Sequence, residues 1–128
     1  MSVGLKSKDH HGGRHIAQVK LSPLPRADAY SMPIISAYIP AGMTSRVHFH
    51  SGVEVFYTVD GEQCLETKEK AFLKKGDTLV VSTGVTMRPV ATGAKARCAF
   101  AVIVYDSSKP PVTRLPMATA SQLVSCTK

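Results

Sequence analysis

Nowhere in these 128 residues does an apolar run approach the roughly 18 residues that a membrane-crossing helix needs. The N-terminal stretch MSVGLKSKDHHGGRH lacks the apolar segment of a secretory signal, so a cytoplasmic location is the default expectation, with a cleaved export signal as the exception. Helical periodicity over ten or more residues is also missing, which points to a mainly β chain. Acidic residues are scarce: 9 Asp and Glu stand against 16 Lys and Arg, for a net charge of +7. That surplus does not gather into a nucleic-acid surface. Only Lys68, Lys70, Lys74 and Lys75 lie close together, Glu69 and Asp77 dilute them, and the single aromatic among them, Phe72, makes no stacking platform for successive bases. No nucleic-acid partner and no membrane are therefore expected, although the diffuse positive field favours an anionic small molecule. The three cysteines, Cys64, Cys98 and Cys126, form no CxxC pair, and their odd number excludes a full disulfide framework. Three thiols are the simplest reading. One bridge, Cys64–Cys98 for instance, is the alternative in an oxidising compartment.

What is present is an ordinary globular composition, 44% hydrophobic and long enough for one core. Residues 1–29 are polar, rich in Lys, His and Gly, and broken by Pro23 and Pro25. They are expected to form a flexible arm leading into an edge strand, with His10, His11 and His15 solvated in it. Residues 30–106 change to short strands between turns. YSMPIISAYI closes at Pro40, TSRVHFH alternates, VEVFYTV ends at the turn signal Asp60-Gly61, and EQCLET returns from it. Another turn at Gly76-Asp77 leads into TLVV, and MRPVA follows Gly84. RCAFAVIVY is apolar on both faces, Phe100, Val102 and Val104 on one and Ala99, Ala101, Ile103 and Tyr105 on the other. One face is expected in the core and the other under a second subunit or a covering segment. Residues 107–128 read as coil wrapping the surface. Short strands at this spacing make a sandwich or barrel.

The stretch HFHSGVE, residues 48–54, carries the chemistry. Strand alternation puts Thr44, Arg46, His48 and His50 on one face and Val47 and Phe49 on the other. Two imidazoles at i and i+2 can reach one ion, Ser51-Gly52 permits a bend, and Glu54 can return to the same point. Two histidines and one carboxylate on one side of a metal leave positions open for substrate. The same cluster is also tolerable without metal, as hydrogen-bonded polar groups in a pocket.

These residues resemble the first motif of the cupin superfamily: Gly42, five residues, His48, one residue, His50, three residues, Glu54, six residues, Gly61. The second motif is partly matched. Gly76 and Gly84 fit, but Ser82, Met87 and Ala91 stand where the family has proline, histidine and asparagine. The resemblance spans residues 35–105 and implies an all-β, double-stranded β-helix (jelly-roll) barrel, with a divalent transition metal on His48, His50 and Glu54. Iron(II) is the first expectation; manganese, zinc, nickel or copper are the others. Met87 occupies the place of the usual fourth ligand. Its thioether suits copper(I) and otherwise packs beside the metal. The implied function is a metal-dependent enzyme of oxygenase, isomerase or lyase type acting on a small anionic organic molecule. The alternative is a non-catalytic cupin that binds or senses metal or a small ligand; a third reading is a structural cupin with a vestigial site. Arg46, two residues before His48, is expected to orient the substrate. Tyr38 and Tyr57 are the nearest candidates for an acid or base. Tyr38, Met43, Phe56 and Thr58 are expected to line the cavity. A homodimer is implied as well.

Overall fold

The computed structural model describes residues 12–13 and 15–126, so the expectation for His10 and His11 lies outside the described residues. Among these residues, strand-forming segments separated by Gly and Pro give ten strands, β1 to β10 in chain order, and one 3-10 helix. The first sheet is built around β9 (Arg97–Asp106). On one side β9 pairs antiparallel with β1 (Tyr30–Ser31) and β2 (Ile34–Ile39), and on the other with β4 (Val53–Asp60). Beyond β4 comes β7 (Thr78–Val81). Pro33 divides the expected single strand YSMPIISAYI into β1 and β2, because proline supplies no ladder N–H.

The second sheet runs β6 (Lys70–Lys74), β5 (Glu62–Glu66), β8 (Arg88–Ala91). Residues 42–48 then lie along β8 through single bridges, Thr44 to Val90 and His48 to Met87. That segment ends in β3 (His48–His50), which pairs with β10 (Val112–Arg114). The C-terminal segment expected as coil is thus partly structured, with β10 and a 3-10 helix over Met117–Gln122. It is ordered by bonds that the residue pattern alone does not reveal. The Leu115 N–H donates to Val47, the Val124 N–H to Thr67, and the Cys126 N–H to Glu66 Oε2. Cys126 is also disulfide-bonded to Cys64 of β5, which overturns the three-thiol reading and the Cys64–Cys98 alternative alike; Cys98 is a free, partly exposed thiol.

Inward positions of the two sheets meet in a core of Phe56, Leu65, Val81, Met87 and Ala101. The four glycines of the two motif halves, Gly42, Gly61, Gly76 and Gly84, are the ones with positive φ among the described residues. At Gly61, in the β4–β5 turn, the reason is double: φ is 76°, and a Cβ there would overlap the Ala96 carbonyl oxygen and approach Arg97 Cα to 2.9 Å. Gly52 serves by close approach instead. A Cβ on it would collide with the Val104 carbonyl oxygen and come within 2.6 Å of Tyr105 Cβ. The chain can turn between β3 and β4 directly against β9 only because that position has no side chain.

Candidate metal and ligand site

Beside the core lies a cavity of about 700 Å³, walled by both sheets. His48 and His50 enter it from β3 and Glu54 from β4, as the alternation of HFHSGVE predicts. The Gly52 turn swings β4 back so that the carboxylate faces the imidazoles. Nitrogen and oxygen atoms of the three residues, one from each, all lie within 4.8 Å of one another. Around a metal with ligand distances of ~2.1 Å, donor atoms are at most ~4.2 Å apart, so closure onto an ion needs shifts of less than about 1 Å.

Each histidine is held by a main-chain carbonyl. His48 Nδ1 lies 2.6 Å from the Arg46 carbonyl oxygen, and His50 Nδ1 lies 2.9 Å from that of Pro111. A carbonyl only accepts, so each Nδ1 carries the proton and each Nε2 keeps its lone pair. His50 Nε2 and Glu54 Oε1 are buried without a hydrogen-bond partner. They stand 3.3 Å apart, an electrostatic approach off good hydrogen-bond geometry. The His48 and His50 rings meet edge to face at 5.0 Å. Burial pushes His48 below the ordinary histidine value, and the charge of His50 adds to that against the opposing pull of the Arg46 carbonyl and Glu54. Burial acts on His50 in the same direction, but there Glu54 and the Pro111 carbonyl together outweigh it, and His50 is raised. Buried donor atoms without partners, fixed in the metal-binding tautomer, are what a divalent cation fits.

The other expected site residues are placed as follows. Arg46 lines the cavity from an exposed position at its mouth. Tyr38 is not in the cavity: it stands 67% exposed on the outer face of β2, because Ile35 and Ala37 take the inward positions there. Met87 is fully buried, but in the apolar core rather than among the cavity-lining residues. Its backbone bonds reciprocally with His48, while its side chain packs with Phe56 and Leu65. Phe56 lines the cavity, Thr58 is buried outside the lining, and Met43 is exposed. The sequence reading missed Arg97, Tyr105, Pro111 and Arg114, all of which line it. Arg97 had a signal: it shares the strand phase of Ala99, Ala101 and Ile103, the inward face of β9. Arg114 and Pro111 had none, since β10 was taken as coil.

No protein-family model matches the chain, and no curated protein matches it. Solved structures do. One is an uncharacterized conserved protein with a double-stranded β-helix domain from Klebsiella pneumoniae, 12% identical, with a TM-score of 0.59 over 84% of this chain and 99% of that one. A second is a cupin superfamily protein from Desulfitobacterium hafniense, 14% identical, with a TM-score of 0.53 over 64% of this chain and 83% of that one. A third is the polyketide cyclase RemF from Streptomyces resistomycificus, 15% identical, with a TM-score of 0.56 over 66% of this chain. The chain spans 61% of the cyclase's length.

Proposed function

Taking the cupin double-stranded β-helix as the fold of this chain, we propose that His48, His50 and Glu54 bind one divalent transition metal, iron(II) first among them. The protein is then a metal-dependent enzyme of oxygenase, isomerase or lyase type that acts on a small anionic organic molecule. One observation carries this: two histidines locked by carbonyls into the same tautomer aim free Nε2 atoms, with a partnerless Glu54 oxygen, into one cavity. Such an ion would supply Lewis acidity, or redox chemistry if it is iron or copper. The protein's own contribution is placement. Pro111 and Arg46 fix the imidazoles through their carbonyls, and the buried Phe56 and Ile103 exclude water from the walls. Arg46 and Arg114, exposed at the mouth, draw in the anion. With Met87 in the core, the site has three protein ligands, and the reason for favouring copper falls away.

The test is elemental analysis of tag-free protein beside the His48→Ala/His50→Ala double variant. About one metal per parent chain and none per variant is the expected result; equal, low metal in both would sink the proposal. A non-catalytic binding module is the second reading. It is favoured by the lining, where Tyr105 and Ser45 are the hydroxyl groups beside the ligands and the arginines. Metal binding without turnover of any small acid would select it.

Two further readings complete the proposal. The outer face of β2, β9 and β4 is apolar, with Ile34, Tyr38 and Phe100 all exposed, and a second copy of the chain is its proposed cover. Among the described residues, no helix is long and apolar enough to cross a membrane. The Cys64–Cys126 bond is of a kind that persists in oxidising surroundings, which weighs against the cytoplasmic default.

A further inference from the structure

Arg97 opens β9 and is 2% exposed, the largest of the fully buried side chains. Strand phase turns it inward with Ala99, Ala101 and Ile103, and its guanidinium lines the cavity that holds His48, His50 and Glu54. Its Nη1 donates to the Ala37 carbonyl over a long 3.4 Å. Its Nε is buried with no partner. Its guanidinium carbon lies 5.8 Å from the centre of the Phe56 ring. No carboxylate lies within ion-pair distance of it among the described residues; Glu54 acts on it only as a more distant charge across the cavity.

A guanidinium held for structure alone looks different, and this chain contains the comparison in the half-buried Arg88. Arg88 places both Nε and Nη2 on Glu66 Oε1, each at 2.8 Å. Arg97 has the same planar fork and leaves most of its donors unused. A buried, unpaired charge is costly, and a protein retains one where something else completes it.

The geometry points to Arg97 as the anion anchor of the cavity: it receives a carboxylate of the ligand in a fork-to-fork pair, while the remainder of that ligand lies toward the His48–His50–Glu54 group. A single carboxylate fits better than a phosphate. One buried guanidinium supplies one positive charge, and Glu54 in the same cavity opposes a dianion. The walls between are apolar, formed by Ile35, Ala37, Phe56, Ala101 and Ile103. The ligand class is therefore a small monocarboxylate with an apolar body. This rests on the cavity being a ligand site, as proposed above, but not on a metal being bound.

The test is an NMR titration of the isotope-labelled full chain with acetate, butanoate and hexanoate, each beside its neutral amide. It is run once with chelator present and once with one equivalent of zinc(II). The acids should bind saturably and the amides about tenfold more weakly or worse. The Arg97 Nε–H resonance should move with the acid and not with the amide. Arg97→Gln should weaken acid binding about tenfold or more, and Arg97→Lys by less, because charge remains without the fork. Zinc uptake should persist in both variants. Acids and amides bound alike, no acid bound at all, an unmoved Nε–H, or full acid affinity in Arg97→Gln would each overturn the assignment. Should the variants fail to fold, the acid–amide difference and the Nε–H shift in the parent decide it. If acids bind through Arg97 but zinc uptake matches that of the His48→Ala/His50→Ala protein, the metal proposal falls and the Arg97 assignment stands; the reverse pattern separates them the other way.

Discussion

At His50 two opposing effects meet. Burial disfavours the imidazolium, yet Glu54 and the Pro111 carbonyl favour it more, so the folded pKa lies above the ordinary histidine value of 6.5. A base raised on folding lends stability that is fully present below about pH 6.5 and is lost as pH rises through the folded pKa. His48, lowered chiefly by burial, works in the opposite sense: its contribution is present above about pH 6.5 and is lost as pH falls through its folded pKa. In the metal-free protein, an NMR titration should place the His48 midpoint below that of a free histidine and the His50 midpoint above it. Glu54→Gln should destabilise the metal-free protein by about 1 kcal/mol at pH 5.5, the scale of a close ion pair short of a good hydrogen bond, and by much less at pH 8.5. Denaturant unfolding at the two pH values checks this, and an equal loss at both would refute the pairing.

Among the elements, the turn between β3 and β4 and the C-terminal segment decide how the site is held. Gly52 presses against the Val104 carbonyl and Tyr105. Gly52→Ala should cost about 1–3 kcal/mol as an overpacked contact and should weaken metal uptake by displacing Glu54 from the histidines. Thermal unfolding and metal titration of the same sample read both effects. The C-terminal segment is tied down twice. The disulfide joins residues 62 apart in sequence, and Cys126→Ser should lower stability by about 4 kcal/mol. Glu66, 1% exposed, accepts from both Arg88 and the Cys126 N–H. Glu66→Gln should cost about 3 kcal/mol, because Arg88 then loses its charge partner. Since β10 carries Arg114 and follows the Pro111 carbonyl that fixes His50, both variants should also loosen metal binding.

For the whole molecule, the open question is what covers the outer face of the first sheet. Ile34 is 69% exposed, Tyr38 67% and Phe100 48%, and register places Ile34 beside Val102, Val102 in turn beside Val55, and Phe100 beside Tyr57. Apolar side chains adjacent across three strands form a patch rather than scattered singles. Phe100→Glu should convert a dimer to a monomer in sedimentation without loss of the fold, because the side chain points away from the core. A parent that is monomeric at all accessible concentrations would remove the second copy from consideration.

Strand phase made part of this legible in the sequence. Alternation in TSRVHFH put His48 and His50 on one face, the Asp60-Gly61 turn fixed the end of β4, and the RCAFAVIVY pattern separated the two faces of β9 without saying which turns inward. These are local properties, set by a two-residue period and by turn chemistry. Tyr38 was misjudged because phase cannot say which of two mixed faces turns inward; packing of Ile35 and Ala37 settled that. Met87 was left open between ligand and packing for a related reason: its backbone reaches His48 through a single bridge, while its side chain goes to whichever side has apolar neighbours. The Cys64–Cys126 pairing, the β10 strap and the Pro111 carbonyl behind His50 depend on contacts across about sixty residues, which no local pattern encodes. So the sequence alone determined the β architecture and the candidate trio His48, His50 and Glu54. Only the tertiary structure decided that Arg97 stands unpaired beside that trio, because being unpaired depends on what every other strand brings near it.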